Sequence, residues 1–418
     1  MTKRRVLLAA SKLGYQTHAF DEAAARLGVE LLLATDRCHL LDDPWRDRAI
    51  AVKFDRLEAS AASVEPRFDA VIAVGDRPAE LVSRVAGRQG LRFHPPAAVE
   101  ASRNKFLARE RFAAAGLLTP RYFRVALNED VNGALLERVE FPCVLKPLGL
   151  SASRGVIRAN DAVEFAAAFR RIRRLLDDPD IRRLHDPADR FIQIEEYIPG
   201  REFAVEGLMR GGRLQALTLF DKPDPLEGPF FEETIYVTPS REPAAVQEAL
   251  IDTAGRAAQA LGFTDGPVHA ELRYNERGAW PLEIAARPIG GLCARALRFG
   301  AGAMPLEELI LRHALGEDTA AAGAELTDAA SGVMMIPIGR RGVFRSVDGV
   351  YDARATPFVT DIEITAKEGQ LFEPLPEGAS YLGFIFARGE GPAEVERALR
   401  AAHARLRFSF HDALPVSR

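Results

Sequence analysis

Residues 267–291 read PVHAELRYNERGAWPLEIAARPIGG, and the alternation within them decides how the rest of the chain is read. Val268, Ala270 and Leu272 face one way, and His269, Glu271 and Arg273 the other. Asn275-Glu276-Arg277-Gly278 supplies a turn, after which Trp280, Leu282 and Ile284 resume the pattern against Glu283. This predicts a β-hairpin with one acid on each arm. For Glu271 and Glu283 to share a face, the connection should be three or five residues long, for example Asn275–Ala279, rather than two or four. Directly opposite positions bring Cβ atoms to roughly 4.5–5.5 Å. Two ionised carboxylates that close repel unless a cation lies between them. A hard divalent ion with phosphate oxygens as its remaining ligands suits such a pair. Arg287, four residues past the second acid, offers a planar fork for a carboxylate or phosphoryl oxygen. The alternative is an edge hairpin whose acids simply face solvent.

Composition bounds the answer without choosing it. The 418 residues suffice for two or three domains with proper cores, and a net charge of −4 argues against a dedicated nucleic-acid or anionic-membrane binder. Cys38, Cys143 and Cys293 are far apart, with neither metal-ligand spacing nor a disulfide framework, which suits a reducing cytoplasm. The opening MTKRRVLLAASKLG is basic, but its apolar run Val6–Ala10 is too short for a signal-peptide core and reads as a first strand. No run approaches a membrane span.

Residues 1 to about 100 alternate strand (Val6–Ala10, Glu30–Thr35, Ala70–Val74) with helix (Thr17–Leu27, Pro78–Ala86), the pattern of βαβ units on a parallel sheet. No G-x-G-x-x-G follows the first strand; Gly14 and Gly75 each follow a strand end, where ligands sit in open α/β sheets but where ordinary turns also fall. Ser102 is the expected N-cap of a helix running to Ala115, with Gly116 as its stop. Strands at Tyr122–Val125, Cys143–Pro147 and Gly155–Arg158 and a long helix from Asp161 follow. The basic run Arg170–Arg174 is interleaved with acids further on and reads as a solvated helical face. Two turns, Pro199-Gly200 and Gly211-Gly212, separate three strands between Phe191 and Leu219. A strand at Thr234–Val237 and a helix at Ala244–Leu261 lead to the hairpin. Beyond Leu306–Leu315 and an Ala-rich linker near Thr319–Ala330, residues 332–418 look like a smaller α+β unit. Its expected strands are Val333–Ile338, Val359–Ile364 and Tyr381–Ala387, closed by a helix at Pro392–Leu406.

Two further stretches carry chemistry. In FPCVLKPLGLSASRGV, residues 141–156, a buried strand delivers Lys146 at its end, followed by a Gly/Ser-rich loop before the next strand. Backbone N–H groups and hydroxyls there suit phosphate oxygens, with the lysine as a point charge beside them. A P-loop is excluded, because no Gly-Lys pair occurs anywhere. The plain alternative is a hairpin tip with a surface lysine. In QIEEYIPGREF, residues 193–203, a strand runs into Glu195-Glu196, an apolar pair and a Pro-Gly turn that returns Glu202. Strand-end backbone can bond a purine edge while apolar side chains sandwich it, and a carboxylate seven residues after Glu195 can accept from ribose hydroxyls. A hairpin with solvated acids is the competing reading.

Taken in order, Lys105, Lys146, the glycine-rich loop, EEYIPGRE, HAELR and PLEIAARP resemble the ATP-grasp superfamily over roughly residues 100–300. The resemblance implies an ATP-grasp fold, α/β and α+β in class. It would comprise an N-terminal parallel-sheet domain (1–100), a central ATP-grasp domain (101–325) with a mobile lid at about 120–192, and a small C-terminal α+β domain (326–418). By the same resemblance Lys105 and Lys146 would hold the phosphates of ATP, and Ser151, Ser153 and Gly155 would lie over them. Glu195, Glu196, Tyr197 and Ile198 would line the adenine, and Glu202 would bind the ribose. Glu271 and Glu283 would hold magnesium, with manganese as a substitute, and Arg287 would grip the substrate carboxylate. Two positions depart from the pattern: Asn104 stands where many members have Asp, and Ala285 where many have an Asn metal ligand.

Within the superfamily, FDKPDPLEGPFFEETIYVTPS, EIAARPIGG and LGFIFARG look most like the L-amino acid ligases, which join two amino acids. That would set Lys222 near the phosphates or the lid and Glu233 against the amino group of the first substrate. Gly290 and Gly291 would offer N–H groups to an oxyanion, and His269 lies on the Glu271 face within possible reach of the substrates or packed in the core. The expected chemistry is amide formation through an acyl phosphate, under a lid that keeps water away. A carboxylase-type relative using bicarbonate would share every nucleotide residue, and a non-catalytic nucleotide-binding protein is a third reading. Expected partners are small molecules (ATP, a carboxylic acid, an amine or amino acid), with no nucleic acid or membrane and with a homodimer left open.

Overall fold

The hairpin forms one edge of an eight-stranded, wholly antiparallel sheet. The computed structural model describes residues 3–11, 15–36, 49–319 and 326–413; Gly14 and Cys38, weighed above, lie outside them. The sheet runs in the order Gly278–Ala285, Gly266–Asn275, Arg201–Arg210, Arg213–Asp221, Ile235–Thr238, Ala330–Ile336, Gly383–Gly389 and Val359–Ile364. Strands after residue 326 therefore extend the sheet begun by those before it. Val268, Ala270 and Leu272 are fully buried on one face against the helix Ala244–Leu261, through Leu250, Ala254, Ala257, Ala258 and Leu261. Each large apolar side chain so removed from water contributes about 1.5–3 kcal/mol. The opposite face is left for charge.

Glu271 does lie opposite Glu283, but by a different route from the one expected. The connection is two residues long, since Asn275 pairs with Gly278. That turn alone would set Glu271 against Leu282 and put Glu283 on the apolar face. A β-bulge between Glu271 and Leu272 absorbs the extra residue and restores the shared face. Parity arguments from loop length fail wherever a bulge intervenes.

Four parallel strands, in the order Ile50–Ala51, Glu30–Thr35, Arg5–Ala10 and Ala70–Val74, make the N-terminal sheet. Its residues Leu7 and Val71, with Val82 and Val85 of the helix Asp76–Gln89, share one core with the helix Ala244–Leu261, so this sheet is welded to the central one. The segment expected as a lid is a separate antiparallel sheet, ordered Tyr122–Ala126, Phe191–Glu196, Cys143–Pro147 and Ile157–Ala159, with its own core around Leu145, Phe165, Phe169 and Ile194. Its helix Ala162–Leu176 is capped by Asp161, whose carboxylate accepts from Val163 and Glu164 N–H. Arg170, Arg173 and Arg174 are exposed as expected, whereas Arg171 is not fully so.

Other expectations need correction. The helix assigned to Ser102–Ala115 is two helices, Pro96–Arg103 and Lys105–Ala114. Asn104 is extended and caps the second one, accepting from Phe106 and Leu107 N–H at 3.1 and 3.3 Å, while Ser102 bonds back to Val99 inside the first. The strand expected from Gly155 begins at Ile157. Three C-terminal strands escaped notice: Gly342–Asp348, Leu371–Phe372 and Arg407–His411 form a small sheet whose aromatic residues obscure the alternation. No helix among the described residues is long and apolar enough to cross a membrane.

Candidate active site

The register of three neighbouring strands builds the site. Strand Arg201–Arg210 pairs with Gly266–Asn275 so that Glu206 faces His269, Ala204 faces Glu271 and Glu202 faces Arg273. On the other side Ala285 faces His269 and Glu283 faces Glu271. Of these, Glu202, His269, Glu271, Arg273 and Glu283 line a cleft of about 2070 Å³, walled by the lid, the N-terminal domain and the C-terminal strands, with Glu206 buried behind them. Every residue named above as a candidate lines this cleft except Gly155 and Lys222. Gly155 ends the lid loop, and Lys222 is buried directly beneath the acids.

At the lid end, Lys146 donates to Glu195 at 2.6 Å. Arg109 grips the same carboxylate at 2.7 and 3.3 Å and also donates to Pro281 O at 2.8 Å. Burial acts to raise the Glu195 pKa, but Arg109 and Lys146 outweigh it and hold it at about 2. Glu195 thus orients the lysine, and Arg109, which no motif singled out, orients Glu195. Lys105 donates to Leu150 O at 2.6 Å and lies 3.3 Å from Glu283. It therefore spans the lid loop and the acid pair. Exposed Glu196, half-buried Tyr197 and buried Ile198 continue along the wall with Val144, Val156 and Leu282. The guanidinium groups of Arg158 and Arg273 lie 4.1 and 5.1 Å from the centre of the Tyr197 ring.

In the centre, Lys222 donates to Glu202 at 2.9 Å, bonds Glu233 and lies 3.8 Å from Glu271. Glu202 is shared with Arg273 at 3.0 Å. Among the described residues, Glu202, Glu233 and Glu271 form the one acidic group whose oxygens all lie within 4.8 Å. Its cation is already present as the Lys222 ammonium, whose pKa rises well above the usual lysine range because these three charges outweigh its burial. Burial, then the charge of Glu271, push Glu233 up to about 7, although it bonds Lys222 and accepts from Tyr236 Oη at 2.7 Å.

His269 is locked from behind. Its Nδ1 lies 3.0 Å from Glu206, and its Nε2 lies 3.5 Å from Glu271. Burial opposes the charged imidazole, but these two carboxylates raise its pKa to about 9, so it is an imidazolium at neutral pH. Lys222, His269 and Arg287 together keep Glu271 ionised far below the usual carboxylate range, against the effect of burial. Glu206, wholly buried, also accepts the Ile289 N–H at 3.0 Å and so ties the hairpin to the loop Arg287–Gly291. Sequence reading missed Glu206, though its spacing of four from Glu202 on an alternating strand marks it for the same face.

Arg287 donates to Asp76 at 2.7 Å, and Asp76 opens the helix Asp76–Gln89 of the N-terminal sheet. Burial would raise the Asp76 pKa, but Arg287 and then Lys105 and Arg103 bring it below the ordinary value. Gly290 and Gly291 follow; Gly291 has φ +61°, and a Cβ there would stand 2.9 Å from the Phe384 ring. The donor set fits a divalent ion. Glu271 and Glu283 are in register on adjacent strands, each about one-quarter exposed toward the cleft, and each is held ionised or flanked by a cation.

Comparison with known proteins agrees with this geometry. The ATP-grasp domain family matches residues 139–296, and the L-amino acid ligase C-terminal domain 2 family matches residues 334–411. The chain thus carries an ATP-grasp domain and an L-amino acid ligase C-terminal domain. The ATP-grasp match contains the lid loop, both acids and Arg287. Alanine–anticapsin ligase of Bacillus subtilis (strain 168) is 28% identical over 222 residues, covering 50% of this chain and 46% of that protein. The chain thus spans about half the length of the curated relatives it matches first. The crystal structure of L-amino acid ligase from Bacillus licheniformis has a TM-score of 0.79 at 24% identity, over 98% of this chain and 99% of that one. Carboxyaminoimidazole ribonucleotide synthase from Aspergillus clavatus, solved with ATP, has a TM-score of 0.72 at 18% identity, over 97% and 99%. Both likenesses are of fold, and each extends over nearly the whole chain.

Proposed function

We propose that this chain is an ATP-dependent carboxylate–amine ligase that forms an amide bond between two small molecules, L-amino acids or their close relatives, through an acyl phosphate. The observation that carries this reading is the Glu271–Glu283 register beside Arg287, with Lys105 and Lys146 above it in one cleft. Magnesium held by Glu271 and Glu283 would neutralise charge on the triphosphate while its terminal phosphoryl group is transferred. The protein's own part is positional and electrostatic. Lys105 and Lys146 hold phosphate oxygens, and Ser151, Ser153 and Gly155 lie over them. The slot of Val144, Val156, Tyr197, Ile198 and Leu282 takes the base, with Glu202 toward the ribose. Arg287 releases Asp76 to receive the substrate carboxylate and then, with the N–H groups of Gly290 and Gly291, the oxyanion formed when the amine attacks.

The reading of the first substrate as an amino acid rests on Glu233. A carboxylate facing the cleft, fixed by Lys222 and the Tyr236 hydroxyl, is suited to an ammonium group. Phosphate release from ATP, screened over amino acids singly and in pairs, tests the proposal. Release that requires a pair, with a matching amide in the products, is the expected result. Release with bicarbonate alone would instead make the chain a carboxylase.

A further inference from the structure

The loop laid over the phosphates is fastened to the C-terminal domain. Gly155 N–H donates to Pro376 O at 2.9 Å, and Arg154 Nε to Glu377 O at 2.8 Å. Arg171, on the lid helix Ala162–Leu176, holds the Glu377 carboxylate with two bonds of 2.6 and 2.8 Å, its guanidinium 4.9 Å over the Phe230 ring. Gly155 has φ +74°, and a Cβ there would fall 2.6 Å from Pro147 Cγ, so the loop end fits closely against the lid strand. The lid's other flank is pinned differently. Asp186 sits between Arg77 and Arg103, with its side chain only 7% exposed, against 35% for Glu377 and 38% for Arg171. A buried ion pair is costly to break because it strands a charge, whereas a half-exposed one parts into water.

We propose that Glu377 is a positioning residue: by holding Arg171 and, through its own carbonyl, Arg154, it keeps residues 151–155 closed over the phosphoryl group, and the lid opens on this flank. The proposal rests on the ligase reading for its purpose. Water that reaches an acyl phosphate adds to the acyl carbon, breaks its bond to the phosphate oxygen and returns free acid and inorganic phosphate, with ATP consumed and no amide made. Ala379, Ser380 and Tyr381, next along the chain, line the cleft, so its occupancy lies within a few residues of the latch.

The test uses Glu377→Gln and Arg171→Met in the full chain. The readouts are ADP released per amide formed and, in the ligand-free protein, amide hydrogen exchange over residues 149–156. Both should rise about three- to tenfold, the weight of one half-exposed bidentate pair. Combining Glu377→Arg with Arg171→Glu should bring both back toward wild type, which a merely structural role for either residue would not do. Folded variants with unchanged ratio and unchanged exchange would overturn the latch. A wild-type chain that makes no amide from any pair, while the variants still exchange faster, would uphold the latch and remove the ligase reading instead.

Discussion

Glu195 shows how a single carboxylate can organise a site through the cations it holds. It is buried with Arg109 and Lys146, and its folded-state pKa of about 2 lies below the ordinary 4.5. A depressed carboxylate contributes stability in full above its unfolded value and loses it as pH falls from about 4.5 toward 2. Glu195→Gln should therefore destabilise the protein by about 3 kcal/mol near neutral pH, since two buried cations lose their partner. In urea titrations the gap from wild type should close as pH approaches 2; a gap independent of pH would refute the pairing. Arg287→Ala should abolish amide formation while nucleotide affinity changes little, as read by calorimetry beside a turnover assay. Much at this scale was legible. The placing of Glu271, Glu283, Lys146 and Arg287 on the cleft was readable from alternation, a strand end and spacing, whereas Lys105 was singled out only by the family resemblance. Arg109 and Asp76 were not, because each acts through a partner distant in sequence and sits in a run that reads as ordinary helix; Glu206 was missed although its spacing from Glu202 was a usable signal.

Among elements, the hairpin and the capped helix behave differently toward prediction. The facing of the two acids could be foreseen from two alternating arms, but not the bulge that achieves it, since one extra residue leaves no mark in composition. The break at Asn104 was hidden for a related reason: residues 102–115 are helical in character on both sides of one extended residue. Asn104→Ala should cost about 1 kcal/mol by removing the cap. It should also weaken nucleotide binding, because Lys105 is the first residue of that helix. Asn104→Asp keeps an accepting oxygen and should preserve both properties. Thermal melts and nucleotide titrations of the pair distinguish capping from a general loss of packing.

Across the whole molecule, the C-terminal strands complete the central sheet. Ile235–Thr238 lies between Arg213–Asp221 and Ala330–Ile336, and Ile235 and Val237 pack with Val395 and Leu399. A chain ended at residue 325 would bare that strand edge and its apolar side chains. It should be recovered largely as aggregate, and a soluble, cooperatively melting fragment would contradict the continuity of the sheet. From the N-terminal domain, Asp76 meets Arg287 across 211 residues of sequence, and Gln16 donates to Ile289 O at 2.8 Å. On the proposed reading of Arg287, an incoming acid would have to outcompete an anion that is tethered and always at hand, at an effective concentration on the order of millimolar. Neutralising the tether with Asp76→Asn should lower the KM for the acid. On that reading the resting protein carries a decoy for its own substrate, and the affinity measured from outside is whatever survives that exchange.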